Sequence, residues 1–458
     1  ERPIPRGPQA QRCRMGRAAL PSMWRCSASP IGWRYLPGRG ARVAWLLVAL
    51  GCPLTAGKGA KSKSAKFLEA YDFPRPPDVR PAGCRRDWDE DGVSEVLNTS
   101  VSIIIPYLRE TWEHFGGTMR SMLYYTPDHL IKEFIFISDG NPPEKVYEEE
   151  LKQLSPKVLL IKNSERMGLI RSKMKAVEHA TAEVLVFMEP HCIVNRQWLQ
   201  PLLARLAEFP HALVQPTLDI IPQDNFNRYL EASPGYYRFE WNMNLIYEGL
   251  ELEKDALKEA PRTMPGTSGG IFAIRKDWWD RLGFYDPEML EWGGDHVEAS
   301  MKVWRCGGHI DLHPCSRVGH LFRDVVHRPY DVDIPTVVHN YNRLARVWLD
   351  DYLPNFFQVK PEAVEMEPGD LSQQKKLRED LECKDMAWYL RYVDPEMEWE
   401  ASRLCIPHWP KNQGGCESPP PPGRSTVVHP MPAEEYRQRS REIKDYWLSQ
   451  AIEMDHEL

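Results

Sequence analysis

The sequence predicts an α/β fold: a Rossmann-like, mostly parallel sheet with flanking helices. Three observations carry this. Four short runs are almost entirely apolar: "VSIIIPY" (101 to 107), "EFIFIS" (133 to 138), "KVLLI" (157 to 161) and "EVLVFM" (183 to 188). Strands buried on both faces read this way, without polar alternation. Segments of helical spacing separate the runs, and strand alternating with helix implies a parallel sheet. Polar residues capable of chemistry follow two of the runs directly, at the strand ends where such sheets bind ligands.

The elements follow in order. Residues 1 to 42 are rich in Arg, Pro and Gly. "VAWLLVALGCPLTAG" (43 to 57) has an apolar run shorter than the ~20 residues that cross a bilayer comfortably. Arg residues precede it and small residues close it, which predicts a signal anchor or a signal peptide. Either reading places the rest of the chain in the secretory lumen. Residues 58 to 95 are polar, with Lys, Pro and Asp, and read as a stem or linker. The main domain is expected over 96 to 400. Within it, Ile170, Met174 and Val177 of "ERMGLIRSKMKAVEHA" share one helical face. Residues 210 to 265 are irregular and rich in Asn, Pro, Tyr and Trp. "EWGGDHVEASMKVWRCGG" predicts a helix entered through Gly293 and Gly294, with Val297, Met301 and Trp304 on one face. Residues 340 to 350 and 370 to 392 read as amphipathic helices. The C-terminal extension, 401 to 458, is broken by "ESPPPPG" (417 to 423) and ends in a helical pattern.

A chain of 458 residues, 42% of them hydrophobic, suffices for one large domain with appendages. A net charge of -7 argues against a general nucleic-acid binder.

The stretch "VLVFMEPHCI" (184 to 193) ends an apolar run in Glu189, Pro190 and His191. A carboxylate and an imidazole there can ligate one divalent cation. Hard oxygen with imidazole suits Mn²⁺, or Mg²⁺ if oxygens complete the shell. A diphosphate could supply those oxygens, and the metal would neutralise a departing nucleoside diphosphate. The plain alternative is a charged loop after a strand. Asp139 ends "FIFIS" in the same way, and in "SDGN" it also reads as a turn residue. Cys306, His309, His313, Cys315 and His320 are zinc-ligand types, but their spacing is not a standard one, and secreted chains more often pair their cysteines.

Several blocks, in order, resemble the polypeptide N-acetylgalactosaminyltransferases, which initiate mucin-type O-glycans in the Golgi: "TPDHLIKEFIFISD", "MGLIRSK", "SGGIFAI", "EWGGDHVEASMKVWRCGG" and "PCSRVGHLFR". The resemblance runs from residue 76 to about 396. It implies a GT-A type fold, UDP-GalNAc as donor, Mn²⁺ as metal, and Ser or Thr hydroxyls of polypeptides as acceptor. It implies a metal set of Glu189, His191 and His320, with Glu189 standing where the family has Asp. It implies disulfides joining Cys84 to Cys315 and Cys306 to Cys383. Asp139 matches an acidic residue that contacts uridine, and Arg171 matches a donor-contacting Arg. Gly269 and Gly270 match a loop close to the sugar. Trp292 matches an aromatic near the diphosphate, and Asp295 stands for the family's Glu after the glycines. Arg323 and Tyr330 would face the diphosphate, with His327 as the intervening His in a segment one residue longer. Glu110 is kept, although "IIPYLRE" replaces a segment that carries Thr and His-Asn. The family's lectin domain is expected to be absent, since about sixty residues follow the match. The resemblance also implies residence in the Golgi lumen as a single-pass type II membrane protein.

Three functions compete. The first is a retaining transferase moving GalNAc to Ser or Thr. The second is an inverting galactosyl- or GalNAc-transferase with the "WGG-acid" motif, in which Asp295 would be the base. The third is a catalytically inactive homologue acting as a binding protein.

Overall fold

The computed structural model describes residues 73–86, 88, 100–250, 258–323 and 327–397. The apolar run at 43 to 57, the first part of the expected stem and the extension from 401 lie outside them. Among the described residues no helix is long and apolar enough to cross a membrane.

The four apolar runs are strands: β1 (Val101–Tyr107), β2 (Ile131–Asp139), β3 (Val158–Asn163) and β4 (Val184–Phe187). They pair in parallel in the order β3-β2-β1-β4. Every residue of β1 and β4 is buried, as continuous apolar runs require. Between the strands lie α1 (Trp112–Tyr125), α2 (Glu148–Leu154) and α3 (Leu169–His179). Thr111 caps α1 by accepting from His114 N at 3.3 Å. Helix α3 packs on β1 and β2 through Ile170, Ala176 and Val177.

The second half holds more sheet than its composition predicts. Strands β5 (Cys192–Val194), β6 (Ala212–Ile221), β9 (Arg262–Thr263), β10 (Phe272–Arg275) and β11 (His309–Leu321) extend the same sheet. Its path continues β4-β10-β6-β11-β5, with β9 on β11. Here β6 and β11 run parallel, and the other pairings are antiparallel. A separate hairpin joins β7 (Gly235–Phe239) to β8 (Leu245–Gly249). The described residues between 210 and 265 are therefore strand-rich, not irregular. Helices α4 (Leu199–Glu208), α5 (Lys276–Arg281) and α6 (Asp295–Arg305) flank this half. Helix α6 begins after Gly294 (φ 91°), where the glycine pair places it. The amphipathic patterns near 340 and 370 become α7 (Ile334–Trp348), α8 (Leu353–Val359), α9 (Ser372–Asp380) and α10 (Met386–Tyr392).

Residues 73–86 are not a free linker. Asn195 Nδ2 donates to Pro77 O (2.9 Å), Arg80 donates to Gln197 Oε1 (2.9 Å), and Cys84 is bonded to Cys315 of β11. A second disulfide joins Cys306 to Cys383. These are the pairs that the resemblance implied, and they leave no role for these cysteines as zinc ligands.

Candidate functional site

The metal candidates meet because two distant strands pair. Chain leaving β4 passes Glu189, Pro190 and His191, then turns into β5. Strand β5 pairs antiparallel with β11, in the register His320↔Cys192. Leu321 N also donates to His191 O (3.2 Å). His320 thus lands beside His191 although 129 residues separate them (320 − 191). One ligand atom each from Glu189, His191 and His320 lie within 4.8 Å of one another. Glu189 Oε2 faces His191 Nε2 at 3.1 Å and His320 Nε2 at 2.5 Å. One carboxylate oxygen and two imidazole nitrogens aimed at a common point suit a divalent cation of the Mn²⁺ type.

Glu110 orients this set from behind. Its Oε1 lies 3.1 Å from His191 Nδ1, which leaves Nε2 to face Glu189. Glu110 also takes both prongs of Arg323, at 2.5 and 2.7 Å, and is almost fully buried. Burial works against its charge, but His191 and Arg323 outweigh that and hold its carboxyl well below the usual range. Burial likewise opposes ionisation of Glu189, yet His320 and His191 keep it low. Burial also disfavours the His191 imidazolium, but Glu110 and Glu189 prevail and raise its pKa. For His320 burial wins, with help from His191 and Arg323, and its pKa falls. Its Nδ1 is buried and has no hydrogen-bond partner among the described residues.

Two adjoining cavities lie at the triad, the first lined by all three of its residues and the second by Glu189. The first, of about 260 Å³, reaches from Tyr107, Leu108 and Asp139 to Arg323 and Tyr330. The second, of about 620 Å³, is bounded by Glu240, Asn242, Asn244, Asp295 and His296. Lys173, Glu189, Gly270 and Trp292 border both. Gly270 is pressed against the triad: a Cβ there would lie 2.2 Å from Glu189 Oε1. Gly269 O accepts from Lys173 Nζ (2.9 Å), and the same ammonium donates to Asp295 Oδ2 (2.7 Å). Burial raises the Asp295 carboxyl, but Lys173 and His296 overcome this and hold it far below the usual range.

Asp139 borders the first cavity with its oxygens already engaged. It accepts from Met167 N (2.8 Å), Gly168 N (2.9 Å) and Asn163 Nδ2 (2.9 Å). It thereby ties the end of β2 to the start of α3. Gly168 (φ 90°) sits so close to Glu291 that a Cβ would meet Glu291 Cα at 2.2 Å. That contact docks the Trp292 loop on α3.

The structure does not bring every expected residue to the cavities. Arg171 is half-buried on α3 but is not among their walls, whereas its neighbours Gly168, Leu169, Ser172 and Lys173 are. His327 is exposed and off the wall; Arg328, the next residue, is on it, with its guanidinium 5.4 Å from the Trp292 ring centroid.

Lys173, Arg328 and Asn340 were missed. Lys173 stands three residues after Ile170 and four before Val177, on the apolar stripe of α3, and a charge there signals a buried partner. Asn340 of α7 had no such signal. Its Oδ1 accepts from Leu290 N (2.9 Å), and its Nδ2 donates to Leu290 O (2.7 Å), Gly293 O (2.9 Å) and Trp292 O (3.2 Å). This fully buried amide stands in for a strand partner to the Trp292 loop. Asn340→Ala is expected to cost about 2–4 kcal/mol, since several buried backbone groups lose their partner. Thermal unfolding reads it directly, and a loss below about 0.5 kcal/mol would show that the loop holds without the amide.

Comparison with known proteins follows this geometry. Residues 102–283 match the family model described as "Glycosyl transferase family 2". The chain is 39% identical over 305 residues to human "Polypeptide N-acetylgalactosaminyltransferase 14", covering 65% of this chain and 54% of the relative. It is 37% identical over 349 residues to the Caenorhabditis elegans protein of that name numbered 4, covering 74% and 58%. It is 35% identical over 313 residues to "Inactive polypeptide N-acetylgalactosaminyltransferase-like protein 5" of Macaca fascicularis, covering 66% and 70%. The chain thus spans little more than half of the first two. Among solved structures, "Crystal structure of GalNAc-T7 with UDP, GalNAc and Mn2+" superposes with a TM-score of 0.64 at 27% identity, over 73% of this chain and 63% of that one.

Proposed function

The chain belongs to the polypeptide N-acetylgalactosaminyltransferase family and has its GT-A type fold, and from that premise we propose that it is a glycosyltransferase moving GalNAc from UDP-GalNAc to Ser or Thr hydroxyls of polypeptides, with Mn²⁺ as metal. One observation carries the reading: Glu189, His191 and His320 converge on one point where two cavities join. The first cavity takes the nucleotide, and the second takes the sugar and the acceptor side chain. The metal supplies Lewis-acid neutralisation of the leaving diphosphate.

The protein's own groups do the rest. Glu110 fixes the ring of His191. Lys173 holds Asp295 and the Gly269 carbonyl, setting one wall of the sugar pocket. Trp292 closes the junction. We further propose that the anomeric configuration is retained. An inverting enzyme needs a base on the acceptor hydroxyl. Asp295, the candidate base, is a permanent anion neutralised by Lys173, and such a carboxylate is a weak base. The two disulfides suit an oxidising compartment, which supports residence in the secretory lumen, and we propose the Golgi lumen with a type II anchor.

A donor screen tests the function. The purified protein is mixed with a Ser/Thr/Pro-rich peptide pool, several UDP-sugars and Mn²⁺, and the transferred sugar is identified by mass. Transfer of hexose alone, or of nothing, overturns the proposal. An inactive homologue is the second reading, favoured by Glu189 in the metal set and by the inactive macaque relative. It predicts no Mn²⁺-dependent UDP release with any peptide.

Glu189→Asp tests the metal set itself. We expect Mn²⁺-dependent UDP binding to stay within about tenfold of the parent, because aspartate keeps the charge and withdraws the oxygen by one methylene. A loss of about a thousandfold would mean that the pocket has re-formed around the longer side chain.

A further inference from the structure

We propose that Glu240 makes the second cavity select acceptors that carry a cation, a lysine or arginine side chain, beside the Ser or Thr that takes the sugar. The inference rests on the transferase reading above and deepens it by naming the chemistry of the acceptor.

Glu240 is placed by its neighbours. Phe239, the last residue of β7, is fully buried, and the Trp241 indole donates to Met397 O (3.0 Å). Between these two anchors the chain turns toward β8. Met243 N donates to Glu240 O (2.9 Å), and Glu240 N donates to Asn244 O (3.0 Å). Asn242 braces the turn through its side chain: its Oδ1 accepts from Asn244 N (2.7 Å), and its Nδ2 donates to Glu240 Oε2 (3.1 Å). Glu240, Asn242 and Asn244 all border the second cavity, so a braced turn holds the carboxylate there.

The charge of Glu240 is unmatched. The residue is 3% exposed, no cation among the described residues pairs with it, and its Oε1 is buried without a hydrogen-bond partner. Arg238, on the same hairpin, pairs instead with Glu248 and Glu396, at 3.4 Å each. The other permanent charges around this cavity are accounted for. Lys173 pairs with Asp295, and Glu189 belongs to the metal set. His296 leaves a second position unfilled: it borders the same cavity, and its Nε2 is buried with no hydrogen-bond partner among the described residues.

A buried carboxylate without a counter-charge is costly, and the arrival of a cation relieves that cost. A sugar hydroxyl would satisfy the hydrogen bond of Oε1 but leave the charge. The donor brings no cation, since its own charge is negative and lies with the metal. Of the two substrates, only the peptide is able to supply one. At about 620 Å³ the cavity has the volume of pockets that hold drug-sized ligands, which leaves room for a peptide side chain beside the sugar.

Peptide binding tests this without requiring transfer. Fluorescence anisotropy, with UDP and Mn²⁺ present, compares peptide twins that carry lysine or acetyl-lysine at one position flanking the Ser or Thr, each position in turn. Acetylation removes the charge and keeps the stem. We expect one position at which the parent binds the lysine twin about tenfold tighter. Glu240→Gln, which keeps the shape and removes the charge, should bring the twins within about twofold of each other, while calorimetry shows UDP with Mn²⁺ binding as in the parent. If Glu240→Gln fails to fold, Glu240→Asp, with the charge withdrawn by one methylene, should narrow the same ratio. Twins bound alike by the parent at every position, or a parent that binds neither, overturn the proposal. So does an unchanged ratio in the variant, which would put the selecting charge elsewhere. Weaker binding of UDP-GalNAc by Glu240→Gln, with UDP binding intact and the twins undistinguished by the parent, would assign the carboxylate to the sugar and overturn it as well. Failure of the transferase reading looks different: the lysine twin would still be preferred, with no sugar passing to either peptide from any UDP-sugar.

Discussion

His320→Ala is expected to abolish Mn²⁺-dependent UDP binding and, with it, sugar transfer. Among the described residues, Glu189, His191 and His320 form the only cluster able to hold a metal through three side chains. Removing one of three protein ligands should weaken the ion by at least about a hundredfold, since losing even an outer partner of a ligand costs ten- to hundredfold. The fold should survive. His320 stands at the end of β11, and its Nδ1 holds no hydrogen bond among the described residues that the substitution could break. A melting temperature close to the parent's, together with calorimetry showing no heat for UDP plus Mn²⁺, is the expected pair of results. Undiminished binding would place the metal elsewhere. His191→Ala should act in the same direction and also leave Glu110 with Arg323 and the more distant His114.

Two members of this triad could be read from the chain and one could not, for a physical reason. Glu189 and His191 follow an apolar run, so a polar pair at a strand end stood out. His320 lies inside β11, and "HIDLHPCSRVGHL" does not read as a buried strand. Its polar residues are buried because distant partners neutralise them. Asp311 accepts from Arg205 of α4 (2.6 Å) and lies 3.1 Å from His309. Arg317 pairs with Asp219 of β6, which also accepts from Tyr229 (2.7 Å). Arg205 and Asp219 lie about a hundred residues from the β11 residues they neutralise, so no local pattern announces them. The residues alone offered His320 only as a zinc-ligand type, and the family resemblance joined it to Glu189 and His191.

The same contrast explains the sheet. Strands β1, β2 and β4 lie within a single apolar core, and their apolar runs sufficed; β3, at the sheet edge, reads the same way but is only partly buried, with Leu159 exposed. In β6, Gln215 is fully buried and accepts from the Thr267 hydroxyl (2.7 Å) and from Ser268 N (2.8 Å). A strand held by such bonds looks like a loop. The glycine pair before α6 was legible because two adjacent positive φ angles leave few alternatives to Gly. That Arg328 and not His327 lines the cavity was not legible, because neighbouring residues in a loop carry no periodic signal.

Lys173→Met should be the most damaging change away from the metal. Lys173 and Asp295 are 3% and 5% exposed in their side chains, and they pair at 2.7 Å. Taking one partner from a buried ion pair costs about 3–5 kcal/mol, because the other charge is left uncompensated. Asp295 has a partial refuge: it opens α6, where the helix dipole favours a negative charge. The loss should therefore fall toward the lower end, about 3 kcal/mol. The sign with pH follows from the pair. In the parent, the Asp295 carboxyl is depressed by Lys173, so its contribution is present above the ordinary aspartate range and is lost as pH falls through the depressed value. In Lys173→Met that contribution shrinks, and the difference in stability between parent and variant should narrow in strong acid. Function should fall as well, because the same ammonium holds the Gly269 carbonyl at the wall of the second cavity. Asp295→Asn with Lys173→Met provides the control. If the single change harms chiefly by stranding a carboxylate, the double variant should regain stability while transfer stays low. Equal stability of the parent and Lys173→Met at neutral pH would show that Asp295 finds another partner, and that the pair does not shape the pocket.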